Sequence, residues 1–130
     1  MKQLKFKIWN SAKKEWFTPV YEAYKGKLHD ISITMAGQIM ERTLKEPADT
    51  RNNHGFIPVL FTGLKDKEGT EIYEGDIVKQ DNYEQPFEVI WHDNGRFCLK
   101  FNETYCNDYV PNKACKVIGN IYENAQLVKY

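Results

Sequence analysis

Nowhere in this 130-residue chain is there an apolar run long enough to cross a membrane, and the opening MKQLKFKIWNSAKKEW scatters lysines among its apolar residues. That excludes a helical membrane span and a secretory h-region, and leads us to expect a cytoplasmic protein. Cysteine is scarce. Cys98, Cys106 and Cys115 are too widely spaced for paired Cys-x-x-Cys metal knuckles, and their odd number suits a reducing compartment better than a disulfide framework. Buried, chemically idle thiols are the expectation. The three histidines, His29, His54 and His92, fall in separate segments without metal-ligand spacing. There is no Gly-x-Ser-x-Gly elbow, no phosphate loop followed by Lys-Ser or Lys-Thr, and no calcium-loop spacing of acids. No residue is therefore assigned a catalytic, cofactor-binding or metal-binding role, and the expectation is a protein that is not an enzyme.

Excess charge is also missing: 18 Lys and Arg balance 18 Asp and Glu. The two halves nevertheless differ. Residues 1–64 carry ten basic against six acidic residues, and residues 65–130 carry eight against twelve. Duplex nucleic acid is gripped by a concentrated basic face, because phosphate neutralisation supplies most non-specific affinity, and the C-terminal half has the wrong sign for it. Lys2, Lys5, Lys7, Lys13 and Lys14 could form a local basic strip, but lysines on a hairpin read first as its solvated face. Opposite charge on the two halves is suited to self-association or docking on a protein partner.

What is present is a folding composition. Hydrophobic residues make up 42% and aromatics 14%, enough apolar surface to offset the entropy of ordering one domain. Strand periodicity dominates. In LKFKIW, Leu4, Phe6 and Ile8 alternate with Lys5 and Lys7, giving one apolar and one charged face. NSAKK reads as a turn, and EWFTPVYEAY as a returning strand carrying Trp16, Phe17, Val20 and Tyr21, with Pro19 marking an edge or bulge. From Lys25 to Glu46, punctuated by Gly26 and Gly37, His29–Met35 is rich in β-branched residues and reads as a strand, while the part after Gly37 suits a strand or a short helix, with strands preferred. EPADTRNNHG is a polar loop, and FIPVLF a short apolar strand.

The most distinctive stretch is LFTGLKDKEGTEIYEGDIVKQ. Gly63 precedes a reverse turn at Lys65–Gly69, in which Asp66 can accept from nearby N–H groups and Gly69 tolerates positive φ. Glu74-Gly75-Asp76 makes a second tight corner, from which Ile77 and Val78 enter a strand. Glu71, Glu74 and Asp76 resemble a general acid/base cluster, but nothing in the sequence indicates the desolvation that such chemistry needs, so turn capping and solubility are their expected roles. Further on, PFEVIWHDNGRFCLKF carries Asn94-Gly95, the pair favoured for a two-residue type I′ hairpin. It predicts Phe97, Leu99 and Phe101 on the core face and Arg96, Cys98 and Lys100 on the other. Gly119 within CKVIGNIYEN suggests a bulge, and AQLVKY a brief helical turn or a last edge strand. Trp91, Tyr83, Tyr105 and Tyr109 could stack bases in a small barrel, although packing or a protein interface suits so acidic a half better.

FTGLKDKEGTEIYEGDIVK, VIWHDNGRF and VIGNIYENAQLV together closely resemble the YopX-like family of small phage and prophage proteins, as does the opening KFKIWNSAKKEWF. Phe61 stands where that family commonly has Tyr, and Ile8 where it has a small residue. Residues of about 20–55 match none of its patterns. The matching positions are Thr62, Gly63, Leu64, Gly69, Ile72, Tyr73, Glu74, Gly75, Asp76, Trp91, Gly119, Asn120, Tyr122, Glu123 and Asn124. The resemblance implies a mainly β fold with an SH3-like barrel in the C-terminal part, residence in phage or prophage genomes, and no catalytic residues to carry over. We accordingly expect one domain, with an N-terminal β-hairpin region over 1–60 packed with a small SH3-like barrel over 61–130. Its expected role is a non-enzymatic protein-interaction or assembly module, with single-stranded nucleic-acid binding as the alternative. Tyr73, Glu74, Asn120 and Glu123 are the expected interaction surface.

Overall fold

Strands dominate the computed structural model, which describes residues 5–36, 38–45, 55–92, 95–101, 104–107 (backbone only) and 109–128. In chain order they are β1 (Phe6–Asn10), β2 (Glu15–Trp16), β3 (Val20–Glu22), β4 (Lys27–Ile33), β5 (Ile39–Thr43), β6 (Phe56–Lys65), β7 (Glu71–Tyr73), β8 (Asp76–Gln80), β9 (Pro86–His92), β10 (Arg96–Phe101), β11 (Thr104–Asn107) and β12 (Cys115–Asn120). Short 3-10 turns at Ala23–Lys25, Asn112–Ala114 and Ala125–Val128 join or follow them. Among the described residues no helix is long and apolar enough to cross a membrane. The chain divides into two compact units, Lys7–Pro58 on one hand and Met1–Phe6 with Val59–Tyr130 on the other. The change of unit thus falls within β6.

In the unit Lys7–Pro58, β1 pairs with β2 through Trp9↔Trp16 and Asn10↔Glu15. The two indoles meet edge to face at 5.0 Å, and this shifts the burial away from the expected alternation. Ile8 is buried as expected, but so is Trp9 on the opposite face, while Phe6 is exposed; Leu4 lies outside the described residues. EWFTPVYEAY is not one strand. β2 stops at Trp16, ahead of Pro19, which has no N–H to donate, and the chain re-enters as β3 in a separate antiparallel sheet of order β3-β4-β5. That sheet shows strands on both sides of position 37, with Ile33 opposite Ile39. The intervening turn is closed by Thr34 N–H donating to the Gln38 carbonyl at 2.8 Å. Ile8, Ile31, Ile39 and Phe56 form the core, with Phe17 and Ile33 against it. Gly37 and most of the polar loop, including His54, lie outside the described residues.

In the unit containing Val59–Tyr130, β8 to β11 form an antiparallel meander and β12 returns to pair with β8, giving the order β11-β10-β9-β8-β12. The central strands bury Ile77, Val78, Phe87, Val89 and Leu99 fully. Ile72, Val78, Phe87, Val89, Leu99, Val110 and Cys115 make one core, with Leu64, Phe97, Phe101 and Val117 packed on it. The β9–β10 hairpin forms, but its ends pair as His92↔Arg96, leaving three connecting residues rather than the expected two. Gly95 closes the connection at φ +88°, its N–H donating to the His92 carbonyl at 2.9 Å, the position that three-residue loops reserve for a left-handed residue. Asn94 lies outside the described residues. Cys98 faces away from Leu99 as expected, yet it is 1% exposed, so sharing a strand face with Arg96 and Lys100 did not keep it in solvent.

The Lys65–Gly69 turn is built as the sequence suggests. Asp66 Oδ1 accepts from the N–H groups of Glu68 and Thr70, both at 2.9 Å, and the Gly69 N–H reaches the Asp66 carbonyl at 3.0 Å. Gly63 lies in β6, where the pairing with β7 shifts register between Phe61 and Lys65. A second shift, between Val117 and Gly119, makes the expected bulge in β12. A Cβ on Gly119 would stand 2.7 Å from Asn124 Oδ1, so only glycine admits the Asn124 side chain here.

Candidate functional site

The corner Glu74-Gly75-Asp76 organises the candidate site. Asp76 is buried, and its Oδ2 accepts the Tyr73 N–H at 2.8 Å, drawing the chain into a tight reversal between β7 and β8. Gly75 sits at φ +88° and bonds in two directions. Its N–H donates to the Val89 carbonyl at 2.8 Å, and its own carbonyl accepts the Ile121 N–H at 2.9 Å. A Cβ on Gly75 would lie 3.1 Å from the Tyr122 ring, so the bare backbone lets that ring lie close. Asn120 then turns the chain after β12, its Oδ1 accepting from the N–H groups of Tyr122 at 3.0 Å and Glu123 at 2.9 Å.

The result is a shallow groove of about 200 Å³ lined by Glu74, Glu88, Trp91 and Tyr122, with the Gly75 and Val89 backbone below. Trp91 is 54% exposed and braced edge to face on its cross-strand partner Phe97 at 4.9 Å. Burial raises the Glu74 carboxyl above its ordinary value. Burial raises Glu88 as well, Lys100 opposing and the Glu74 charge reinforcing. The Tyr122 hydroxyl is raised first by burial, then by the charges of Glu74, Glu88 and Asp76. Two partly desolvated carboxylates therefore share one small groove, in whose lining Trp91 also takes part. Two carboxylates held this close and partly out of water have the chemistry to attract a cation.

Of the three acids the sequence singled out, Glu71 is paired with Lys5 at 2.6 Å, a hydrogen bond that lowers its carboxyl, and Asp76 caps a turn. Glu74 is the desolvated one, which the sequence had not signalled. Glu88 was missed altogether. It belongs to an ordinary strand, FEVIW, and meets Glu74 only because β8 pairs with β9, with Ile77 opposite Glu88.

The expected surface of Tyr73, Glu74, Asn120 and Glu123 is not assembled as such. Tyr73 is 6% exposed, its ring tilted against Phe61 at 5.4 Å, so it belongs to the packing. Asn120 and Glu123 are joined by a bond from Asn120 Nδ2 to Glu123 Oε1 at 3.2 Å and serve the turn that carries Tyr122. Only Glu74 lines the groove. Among the aromatics considered for base stacking, Trp91, Tyr83 and Tyr109 are exposed; the Tyr105 side chain lies outside the described residues. The N-terminal lysines do not form a uniform solvated strip. Lys5 pairs with Glu71, Lys7 Nζ lies 4.3 Å from the centre of the Trp16 ring, and Lys13 and Lys14 are exposed; Lys2 lies outside the described residues.

His29 is engaged in the other unit, its Nε2 2.5 Å from Glu41 Oε2 and its ring edge to face with Phe17 at 4.8 Å. It borders a second cleft, of about 260 Å³, with Asn10, Lys13, Glu15, Trp16, Phe17 and Thr18. Cys98 and Cys115 are buried and outside any disulfide, and burial, helped by Asp66 and Asp81, pushes Cys115 up to about 11, keeping it protonated at neutral pH. The Cys106 side chain lies outside the described residues. Among the described residues no group of three or more His, Cys, Asp or Glu could hold a metal ion.

Residues 5–129 match the family model YopX, described as YopX protein. The crystal structure of protein EF1440 from Enterococcus faecalis is similar over 99% of this chain and 100% of that one, with a TM-score of 0.58 and 28% sequence identity. No curated protein matches.

Proposed function

The chain belongs to the YopX protein family, and from that premise and the groove's chemistry we propose that it is a non-enzymatic protein-interaction or assembly module docking through the Glu74–Glu88–Trp91–Tyr122 groove. The observation that carries this reading is Trp91, more than half exposed in the lining of a groove whose two carboxylates form no ion pair among the described residues. Exposed aromatics with a braced ring are the usual anchors of protein interfaces, and the sign of the groove repels phosphate. The reading includes an SH3-like arrangement for the C-terminal barrel. Supporting it, the β6–β7 turn runs along the free edge of β12, with the Lys67 N–H donating to the Cys115 carbonyl at 3.1 Å and the Val117 N–H to Asp66 Oδ2 at 2.8 Å. It also includes a phage or prophage origin and work in the bacterial cytoplasm, for which the family resemblance is the support.

A second reading, single-stranded nucleic-acid binding, is favoured by the cleft of Lys13, Trp16, Asn10 and Thr18, which pairs a cation with an aromatic ring. Glu15 within that cleft weakens it. Size-exclusion chromatography with light scattering, with and without a short random oligonucleotide, separates the two. The docking reading predicts no shift with oligonucleotide. A shift lost at high salt and on replacing Lys13 would put the second reading first, and turnover of a nucleotide, peptide or sugar abolished by Glu74→Gln would overturn the non-enzymatic part.

A further inference from the structure

The groove and the β1–β2 turn of this chain are complementary in charge and number, and we propose that the occupant of the groove is the Lys13–Lys14 turn of a second copy, so that the protein assembles head to tail. This inference rests on the docking reading above and names its partner. The groove offers two carboxylates, Glu74 and Glu88, neither in an ion pair among the described residues although Lys100 stands across from Glu88, with Trp91 in its lining. A cationic side chain suits it, because it neutralises two like charges held in a partly desolvated space.

The lysines best suited to fill it are those without a carboxylate of their own on a fixed, protruding backbone. Lys5, Lys25, Lys67 and Lys116 are paired with Glu71, Glu22, Asp81 and Glu68. Among the described residues Lys13 and Lys14 have no such pair, and the whole turn Ser11–Glu15 is exposed. Asn10 Oδ1 fixes its backbone by accepting from the N–H groups of Ala12 at 3.1 Å and Lys13 at 3.0 Å. Lys14 stands at φ +55°, a left-handed conformation that asparagine or glycine adopts more cheaply. A rigid tip presenting two adjacent cations loses little further entropy on docking. The wider charge distribution points the same way, with ten basic against six acidic residues in 1–64 and eight against twelve in 65–130. Because tip and groove are different surfaces, the contact is heterologous and propagates into rings or open chains rather than stopping at a two-fold dimer.

The test uses the whole chain in three forms: wild type, K13Q/K14Q with an intact groove, and E74Q/E88Q with an intact tip. Light scattering at low salt should show wild type in assemblies larger than a dimer that dissociate as salt rises. Each double variant alone should associate at least roughly tenfold more weakly. An equimolar mixture of the two should form a one-to-one dimer, since one intact tip meets one intact groove; this restoration also shows that both variants are folded. A wild type that stays monomeric, or assembles regardless of either substitution, overturns the inference. A fluorescent peptide with two adjacent lysines and a labelled oligothymidine then separate the cases. Peptide binding lost in E74Q/E88Q means the docking reading stands with a different partner. Oligothymidine binding alone, or binding of neither probe, means that the docking reading falls too.

Discussion

Asp66 and Val117 are 51 residues apart and joined by one hydrogen bond, the Val117 N–H donating to Asp66 Oδ2 at 2.8 Å. The other carboxylate oxygen of Asp66 holds its own turn through Glu68 and Thr70. One buried carboxylate thus fastens the β6–β7 turn to the bulged edge of β12, and that edge strand is covered rather than left open to another chain. Asp66→Ala should cost about 2–4 kcal/mol in urea denaturation, because three N–H groups lose a charged acceptor at a buried position. A change below about 0.5 kcal/mol would mean that these bonds are replaced by water without loss.

Acid should weaken the same link. Burial alone would raise the Asp66 carboxyl, but the N–H donors of Val117, Thr70 and Glu68 together with Lys116 outweigh it and hold it below its ordinary 3.8. A depressed folded value means stability that is present above 3.8 and lost as pH falls through the lower folded value. The cost of Asp66→Ala should therefore shrink toward acid pH, which denaturation midpoints of the two proteins from pH 7 down to pH 2 would measure.

The groove carboxylates run the other way. Glu74 and Glu88 lie above their ordinary 4.5, so their contribution favours the folded state below 4.5 and is lost as pH rises through the raised folded values. Glu74→Gln with Glu88→Gln should raise the Tm at pH 7 and give no gain at pH 4. An equal change at both pH values would show that the groove acids are fully solvated.

Gly75→Ala should be costly for two reasons that add: an L side chain at φ +88° and a Cβ 3.1 Å from the Tyr122 ring. About 1–3 kcal/mol is expected for the backbone conformation alone. Relief of the cost by a second change, Tyr122→Ala, would measure how much of it is the ring contact.

Much of this architecture could be read from local chemistry. The Asp66 turn, the Glu74-Gly75-Asp76 corner, the β9–β10 hairpin and the Gly119 bulge each depend on residues within a few positions, and each formed. What local pattern could not give was anything set by strand partners. Trp9 is buried because Trp16 lies across from it, and the run after Trp16 changes sheet at Pro19. The site follows the same rule. Glu74 was visible as an acid in a turn, but its desolvation and its neighbour Glu88 arise only when β8 pairs with β9, and Tyr73, equally prominent in the motif, turned inward instead.

The central claim is that the groove is the docking face, and the most direct measurement is a two-dimensional amide and indole NMR spectrum recorded through a dilution series at low salt. The account predicts concentration-dependent shifts at the Trp91 indole and at Glu74, Gly75, Glu88 and Tyr122, with matching shifts at Lys13 and Lys14 and none at the buried Trp9 indole. Shifts confined to other surfaces, or a groove untouched while the protein associates, would contradict it.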